Sequence, residues 1–251
     1  MSISAPQDHF SGHAKEYAQF RPDYPSELFR IILEHCPDSP MAADIATGSG
    51  QCAVAIAPRC KRVFGLDISS EQLKHASGHP KLSYLVSRAE TLPFKDNQLD
   101  LITVAQALHW LDLPHFFEEA ERTLSPLGTL AIIGYGNCLV SPEVDRVVEH
   151  LYEAVLGEYW TPGRRWVEQG YENVAEQMPF GIPKVHKLEI EKHWTLAQFI
   201  GYLQTWSALK AYLNDHDASA LNATWAALTQ AWGQGTKAVR WPLTLHLCRR
   251  K

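Results

Sequence analysis

The chain has 251 residues, 45% of them hydrophobic and 20% charged, and a formal net charge of -5 at pH 7. That length supports one large buried core. The acidic balance, with Lys and Arg scattered and the longest basic run only Arg249-Arg250-Lys251, speaks against a nucleic-acid-binding face. The five cysteines, Cys36, Cys52, Cys60, Cys138 and Cys248, form no C-x-x-C pair, which argues against a zinc knuckle or a thioredoxin-type motif. Their odd number fits a reducing compartment. Met1–Phe10 is polar, and no apolar run approaches the roughly 20 residues of a membrane helix. The expectation is a soluble cytoplasmic protein with no membrane partner. Its oligomeric state is left open.

In the first half, short apolar runs alternate with helical stretches. Met41–Ala46 reads as a buried strand, followed by a Gly-containing turn and a helix over Gly50–Ala57. Arg62–Leu66 is a second strand, Ser69–Ser77 a helix opened by good N-cap residues, and Leu82–Ser87 a third strand. Leu99–Ala105 is a fourth strand, Leu113–Leu124 an amphipathic helix stopped by Pro126 and Gly128, and Thr129–Gly134 a fifth strand. This alternation predicts right-handed βαβ units and a parallel sheet covered on both faces. The second half differs. Pro142–Leu156 reads as helix, Tyr159–Phe180 as irregular, Thr195–Leu213 and Ala218–Trp232 as helices. Lys184–His193 and Trp241–Cys248 alternate in polarity and read as two added strands. The fold class is α/β, a doubly wound Rossmann-like sheet of seven strands, mostly parallel, with an antiparallel strand near the C-terminus and helical cap insertions.

The strongest chemical signal is Asp44-Ile-Ala-Thr-Gly48-Ser-Gly50-Gln51, between a strand and a helix. Glycines let the backbone approach a ligand, and a helix N-terminus offers unpaired N–H groups. About 20 positions on, Asp67 ends the second strand, where a carboxylate binds a ribose hydroxyl pair. The glycines do not decide which nucleotide: Ala53 is small enough to complete a dinucleotide-type G-x-G-x-x-G/A run. Asp44 and the block Ser87-Arg-Ala89-Glu90-Thr-Leu-Pro-Phe94 favour S-adenosylmethionine over a dinucleotide.

With Asp44–Gly50, Asp67 and Ala89–Phe94 in place, Phe10 to Gly136 resembles the class I S-adenosylmethionine-dependent methyltransferases of the type 11 group. Tyr17-Ala-Gln-Phe-Arg21-Pro22-Asp-Tyr24-Pro25, Gln106-Ala-Leu-His109-Trp110 and Tyr159-Trp160-x-x-x-Arg164-Arg165 resemble the trans-aconitate methyltransferase-like branch, whose members include enzymes that methylate carboxylates of small acids. The resemblance implies methyl transfer to a small molecule with no metal, and no His/Asp/Glu cluster at ligand spacing suggests one. It places Tyr17, Arg21, Asp44, Ala46, Gly48, Gly50, Asp67, Ile68, Ala89, Glu90 and Gln106 around the cofactor. It places Tyr24, Trp110, Trp160, Arg164, Arg165 and Trp206 around the acceptor. His109 is the candidate base where the acceptor needs one. It also implies a single domain, with residues 1–30 a lid, 31–137 the cofactor-binding core, 138–183 and 195–236 substrate-cap insertions, and 184–194 and 241–249 terminal strands.

Each of these residues has a bland counterpart: a helix cap for Asp67, a surface charge for Glu90, a structural hydrogen bond for His109, a solvated side chain for one of Arg164 and Arg165. Trp194, Trp206 and Tyr212 read more readily as core than as pocket wall. Two other functions compete. A nicotinamide-dependent oxidoreductase is disfavoured by the lack of a Tyr-x-x-x-Lys hydride-transfer site in the second half. A catalytically silent S-adenosylmethionine-binding protein is disfavoured by the intact glycines and Asp67.

Overall fold

A computed structural model of the chain describes residues 20–175 and 177–250, so Tyr17 and most of the segment read as a lid lie outside the described residues. The described chain opens with helix α1 (Ser26–Glu34). Then come strand β1 (Met41–Ile45), helix α2 (Gln51–Ile56), β2 (Arg62–Asp67), α3 (Ser70–Lys74), β3 (Leu82–Val86), β4 (Leu99–Ala105), α4 (Leu113–Thr123) and β5 (Leu124–Tyr135). After α5 (Pro142–His150) and a π turn (Leu151–Val155) come two short helices, α6 (Arg164–Glu168) and α7 (Glu172–Ala175). Strand β6 (Lys184–Thr195), helices α8 (Leu196–Gln204), α9 (Ser207–Asp215) and α10 (Asn222–Trp232), and β7 (Thr236–Arg249) complete it.

The strands lie in the order β3-β2-β1-β4-β5-β7-β6. Strands β1 to β5 pair in parallel, and β7 runs antiparallel to both β5 and β6. The order reverses between β1 and β4, and a crevice opens there at the carboxyl ends of the strands.

Alternation within each strand feeds two cores. Ala42, Ala131 and Ile133 join Leu28 and Ile32 of α1 and Ile56 of α2 on one face. Ala43, Ile45, Leu130 and Ile132 join Phe116 and Phe117 of α4 on the other. Both faces are covered, so the strand sequences are near-continuously apolar.

The second half departs from the sequence reading in four places. Tyr159–Phe180, read as irregular, carries the short helices α6 and α7. Thr195–Leu213 is two helices, not one. The Thr195–Gln198 capping box opens α8, and the chain turns at Thr205, whose hydroxyl donates back to the Tyr202 carbonyl at 2.6 Å. Trp206 then adopts extended geometry, φ -65° and ψ 131°, before α9 begins. The expected helix over Pro142–Leu156 changes to π geometry after His150. The last strand starts at Thr236, five residues early, because it pairs with β6 along that strand's whole length, from Lys184↔Leu247 to Thr195↔Thr236. No helix among the described residues is long and apolar enough to cross a membrane.

Phe116 is fully buried in the second core. Phe116→Ala is expected to lower stability by about 3–5 kcal/mol, measured as the shift of the urea midpoint.

Candidate active site

The loop after β1 is set by a buried carboxylate. Asp44 is 1% exposed. Its register partner on β4 is Thr103. The Thr103 hydroxyl donates to one Asp44 oxygen and the Thr47 hydroxyl to the other, both at 2.6 Å. Burial pushes the Asp44 carboxyl up, and the two hydroxyls pull it back. So anchored, the loop leaves β1 through three left-handed residues, Ala46 (φ 52°), Gly48 (φ 53°) and Gly50 (φ 81°). A Cβ on Gly48 would meet nothing within 4 Å, whereas one on Gly50 would stand 1.9 Å from the Tyr84 hydroxyl. The first glycine leaves the backbone open to the crevice; the second admits the Tyr84 ring from β3.

Asp67 closes this corner. Its carboxylate accepts from the backbone N–H of Gly48 and of Ser69, each at 2.9 Å. The helix cap itself is Ser69, whose hydroxyl accepts the Gln72 N–H at 3.3 Å, so Asp67 is left to join the glycine loop to the start of α3. Strand β4 ends as β1 does, in a left-handed residue, Gln106 (φ 55°). Its side chain pairs with the Tyr135 backbone through Nε2 to the carbonyl (3.0 Å) and Oε1 from the N–H (3.2 Å). Left-handed non-glycine residues at two adjacent strand ends mark strain at the crevice.

These elements enclose a cavity of about 240 Å³. Arg21, Tyr24, Asp44, Ala46, Gly48, Asp67, Ile68, Ala89, Glu90, Gln106 and Trp110 all line it. Gly50 does not line it; it sits behind the loop, against Tyr84. Glu90 is tied down, accepting from the Asp112 N–H and pairing with Arg88. The spacing-based reading did not single out Thr47, Gln72, Arg88 or Tyr135, which also line the cavity.

A second cavity, about 50 Å³, shares Arg21, Gln106 and Trp110 with the first and adds His109, Trp160, Thr161, Arg164, Trp206 and Ser207. His109 and Tyr171 hydrogen-bond at 2.9 Å through His109 Nδ1 and the phenol oxygen. Burial, then the Arg164 and Arg21 charges, depress the His109 imidazole to about 3. Arg21 Nη1 donates to the Tyr135 hydroxyl at 3.1 Å. Arg164 donates to Tyr152 and Asn137. Arg165, expected beside the acceptor, is exposed and lines neither cavity: adjacent positions on a helix point about 100° apart. Trp194 packs on Trp241 and Tyr202, and Tyr212 stacks on His216, both outside the two cavities. Among the described residues, no group of three or more His, Cys, Asp or Glu is arranged to hold a metal ion.

A family profile described as a methyltransferase domain matches residues 43–132. The chain is 33% identical over 229 residues to a Dictyostelium discoideum protein named as a methyltransferase, covering 90% of this chain and 86% of that one. It belongs to the S-adenosylmethionine-dependent methyltransferases. A solved structure described as a type II methyltransferase from Anaeromyxobacter dehalogenans is 37% identical to it, with a TM-score of 0.82, covering 92% of this chain and 98% of that one. A Saccharomyces cerevisiae protein named as an S-adenosylmethionine-dependent methyltransferase is 28% identical over 128 residues, 47% of this chain and 44% of that one.

The methyltransferase's cofactor is S-adenosylmethionine, and the larger cavity fits it chemically. A carboxylate lies at the end of β2, open backbone at Gly48, and an apolar shelf at Ile68 and Ala89. Family membership removes the dinucleotide alternative.

His109 also predicts a pH dependence of stability. Its folded pKa is depressed, so the unfolded chain binds a proton below about 6.5 that the folded methyltransferase does not. The folded state therefore loses stability as pH falls from about 6.5 towards 3. His109→Gln is expected to flatten that loss, read as a smaller difference between urea midpoints at about pH 5 and pH 7.

Proposed function

We propose that this methyltransferase acts on a carboxylate oxygen of a small acid, in the manner of the trans-aconitate methyltransferase-like branch that its Arg21-Pro22 and His109-Trp110 segments resemble. The observation that carries the reading is the pair of guanidinium groups, Arg21 and Arg164, on the wall of the smaller cavity beside an imidazole they help to keep neutral. Guanidinium groups grip carboxylates through paired N–H donors.

In this reading Asp67 receives the ribose hydroxyls. Its carboxylate stands at the end of β2 on the wall of the larger cavity, beside the Gly48 backbone. Gly48 and Ala46 pass backbone along the methionine end, and Ile68 and Ala89 flank the adenine. Asp44 and Gly50 act from behind, one fixing the loop and the other admitting Tyr84. Trp160 and Trp206 wall the acceptor, Tyr24 reaches it from the larger cavity, and residues 138–183 and 195–236 form the cap over it.

S-adenosylmethionine supplies the methyl group, on a sulfonium centre. The chain's work is to hold an acceptor oxygen in line with it, and such orientation contributes up to about 7–11 kcal/mol. Arg21, Gln106 and Trp110 line both cavities and mark the junction where the two reactants meet. A carboxylate is ionised at neutral pH and needs no base. His109, with a pKa near 3, is too weakly basic to deprotonate a hydroxyl or amine at neutral pH, which also favours an acid.

Two measurements test this. Calorimetric titration with S-adenosylhomocysteine is expected to show micromolar binding that Asp67→Ala abolishes, while NADH fails to bind. A panel of small carboxylic acids, trans-aconitate included, is then assayed for methyl transfer. With the best acceptor, Arg164→Ala is expected to raise KM at least tenfold, by about 1.4 kcal/mol or more, and Arg165→Ala to leave it unchanged. Binding of S-adenosylhomocysteine with no transfer to any acceptor identifies a silent binding protein. Transfer only to hydroxyls or amines overturns the carboxylate reading.

A further inference from the structure

The π turn that follows α5 carries Tyr152, 8% exposed, which touches the acceptor cavity's two principal side chains without lining the cavity. In an α-helix the Leu156 N–H would reach the Tyr152 carbonyl. Here it reaches Leu151 O at 3.0 Å, and the Tyr152 carbonyl accepts the indole N–H of Trp160, also at 3.0 Å. The phenol oxygen of Tyr152 accepts from Arg164 Nε at 2.8 Å and donates to the Glu168 carboxylate. The guanidinium is also wedged between rings, its centre 5.5 Å from the Tyr152 centroid and 4.9 Å from that of Trp160. π turns are rare, and tend to occur where a helix must reposition a side chain or carbonyl for function.

This arrangement has an electrostatic consequence. Among the described residues Arg164 has no ion pair; Glu168 is reached only through the neutral Tyr152 hydroxyl. Burial pushes that phenol up to about 12, so it remains a neutral spacer. Arg164 is held by hydrogen bonds to Tyr152 and to Asn137 Oδ1 (2.7 Å) that use two of its five N–H groups. Its orientation is fixed while its charge is not cancelled by a carboxylate in contact, and that charge is felt at His109.

We propose that Tyr152 is the positioning residue for acceptor specificity, its hydroxyl orienting Arg164 towards an anionic acceptor and its carbonyl, released by the π turn, orienting Trp160 as the wall beside it. The specificity half of this inference rests on the smaller cavity being the acceptor site; the orientation of Arg164 by Tyr152 does not.

The test uses the full chain with S-adenosylhomocysteine bound, comparing wild type, Tyr152→Phe, Glu168→Gln and the Tyr152→Phe/Arg164→Ala double variant. Tyr152→Phe keeps the ring, and an unchanged affinity for S-adenosylhomocysteine certifies its fold. The first readout is the rate at which phenylglyoxal modifies Arg164, followed by peptide mass. Tyr152→Phe is expected to raise that rate several-fold and Glu168→Gln to raise it less. The second is the kinetics of the best carboxylic acid in the panel. Tyr152→Phe is expected to raise KM about tenfold with kcat within about twofold, and to add nothing on top of Arg164→Ala. An unchanged value in either readout overturns the proposal. If wild type methylates no acid in the panel, the acceptor reading fails, and the Arg164 labelling rate alone then decides whether Tyr152 orients it.

Discussion

The carboxyl edge of the sheet depends on how β1 ends. Asp44 puts a carboxylate where burial opposes its charge, and the hydroxyls of Thr47 and Thr103 compensate from two directions. One hydroxyl belongs to the loop and the other to the neighbouring strand, so the same group fixes the loop and locks it in register with β4. A buried carboxylate deprived of such donors is costly, by about 1–3 kcal/mol or more for each one lost. The left-handed residues at Ala46 and Gly48 and the approach of Asp67 to the Gly48 amide lie on the loop so held.

The smaller cavity is built on different physics. Aromatic rings at Tyr152, Trp160 and Trp206 pack on one another with centroids 4.5–5.6 Å apart. A guanidinium is set among them, and His109 is held without charge by its surroundings. Here the positive charge is retained and the neighbours are kept neutral. On the other side the carboxyl groups of Asp44 and Asp67 are surrounded by hydroxyl and amide donors. The two regions meet along Arg21, Gln106 and Trp110.

Most of the first half of the fold was legible in the sequence because the central strands β1 and β4 are buried on both faces and helices α2 and α3 begin at a glycine and a capping serine; α1, which follows Pro25 without a capping side chain, and the start of β5 at Leu124 were not. The glycine loop after β1 was legible because Asp44, Gly48 and Asp67 sit at fixed offsets from strand ends. The second half was read less well because its devices are local exceptions. The break at Thr205 comes from one hydroxyl turning back on its own helix, and the π turn has no periodicity that separates it from an amphipathic helix. Arg164 and Arg165 are equivalent in sequence; helix rotation separates them. Tyr171 as partner of His109, and Tyr152 and Asn137 as partners of Arg164, are joined across 62, 12 and 27 positions. No spacing rule reaches those contacts, although the aromatic richness of the segment was a visible hint.

Gly163 has a bearing on how such a chain diversifies. A Cβ there would stand 2.6 Å from the His109 carbonyl oxygen, so the segment from Trp160 to Arg164 is seated directly on the turn that follows β4. Three of the six residues that the smaller cavity does not share with the larger, Trp160, Thr161 and Arg164, arrive on that one seated segment. The parts that hold the loop come from elsewhere in the chain. Substitutions on the segment can therefore reshape the smaller cavity without touching the groups that hold the loop after β1, provided the glycine that lets it sit down is retained.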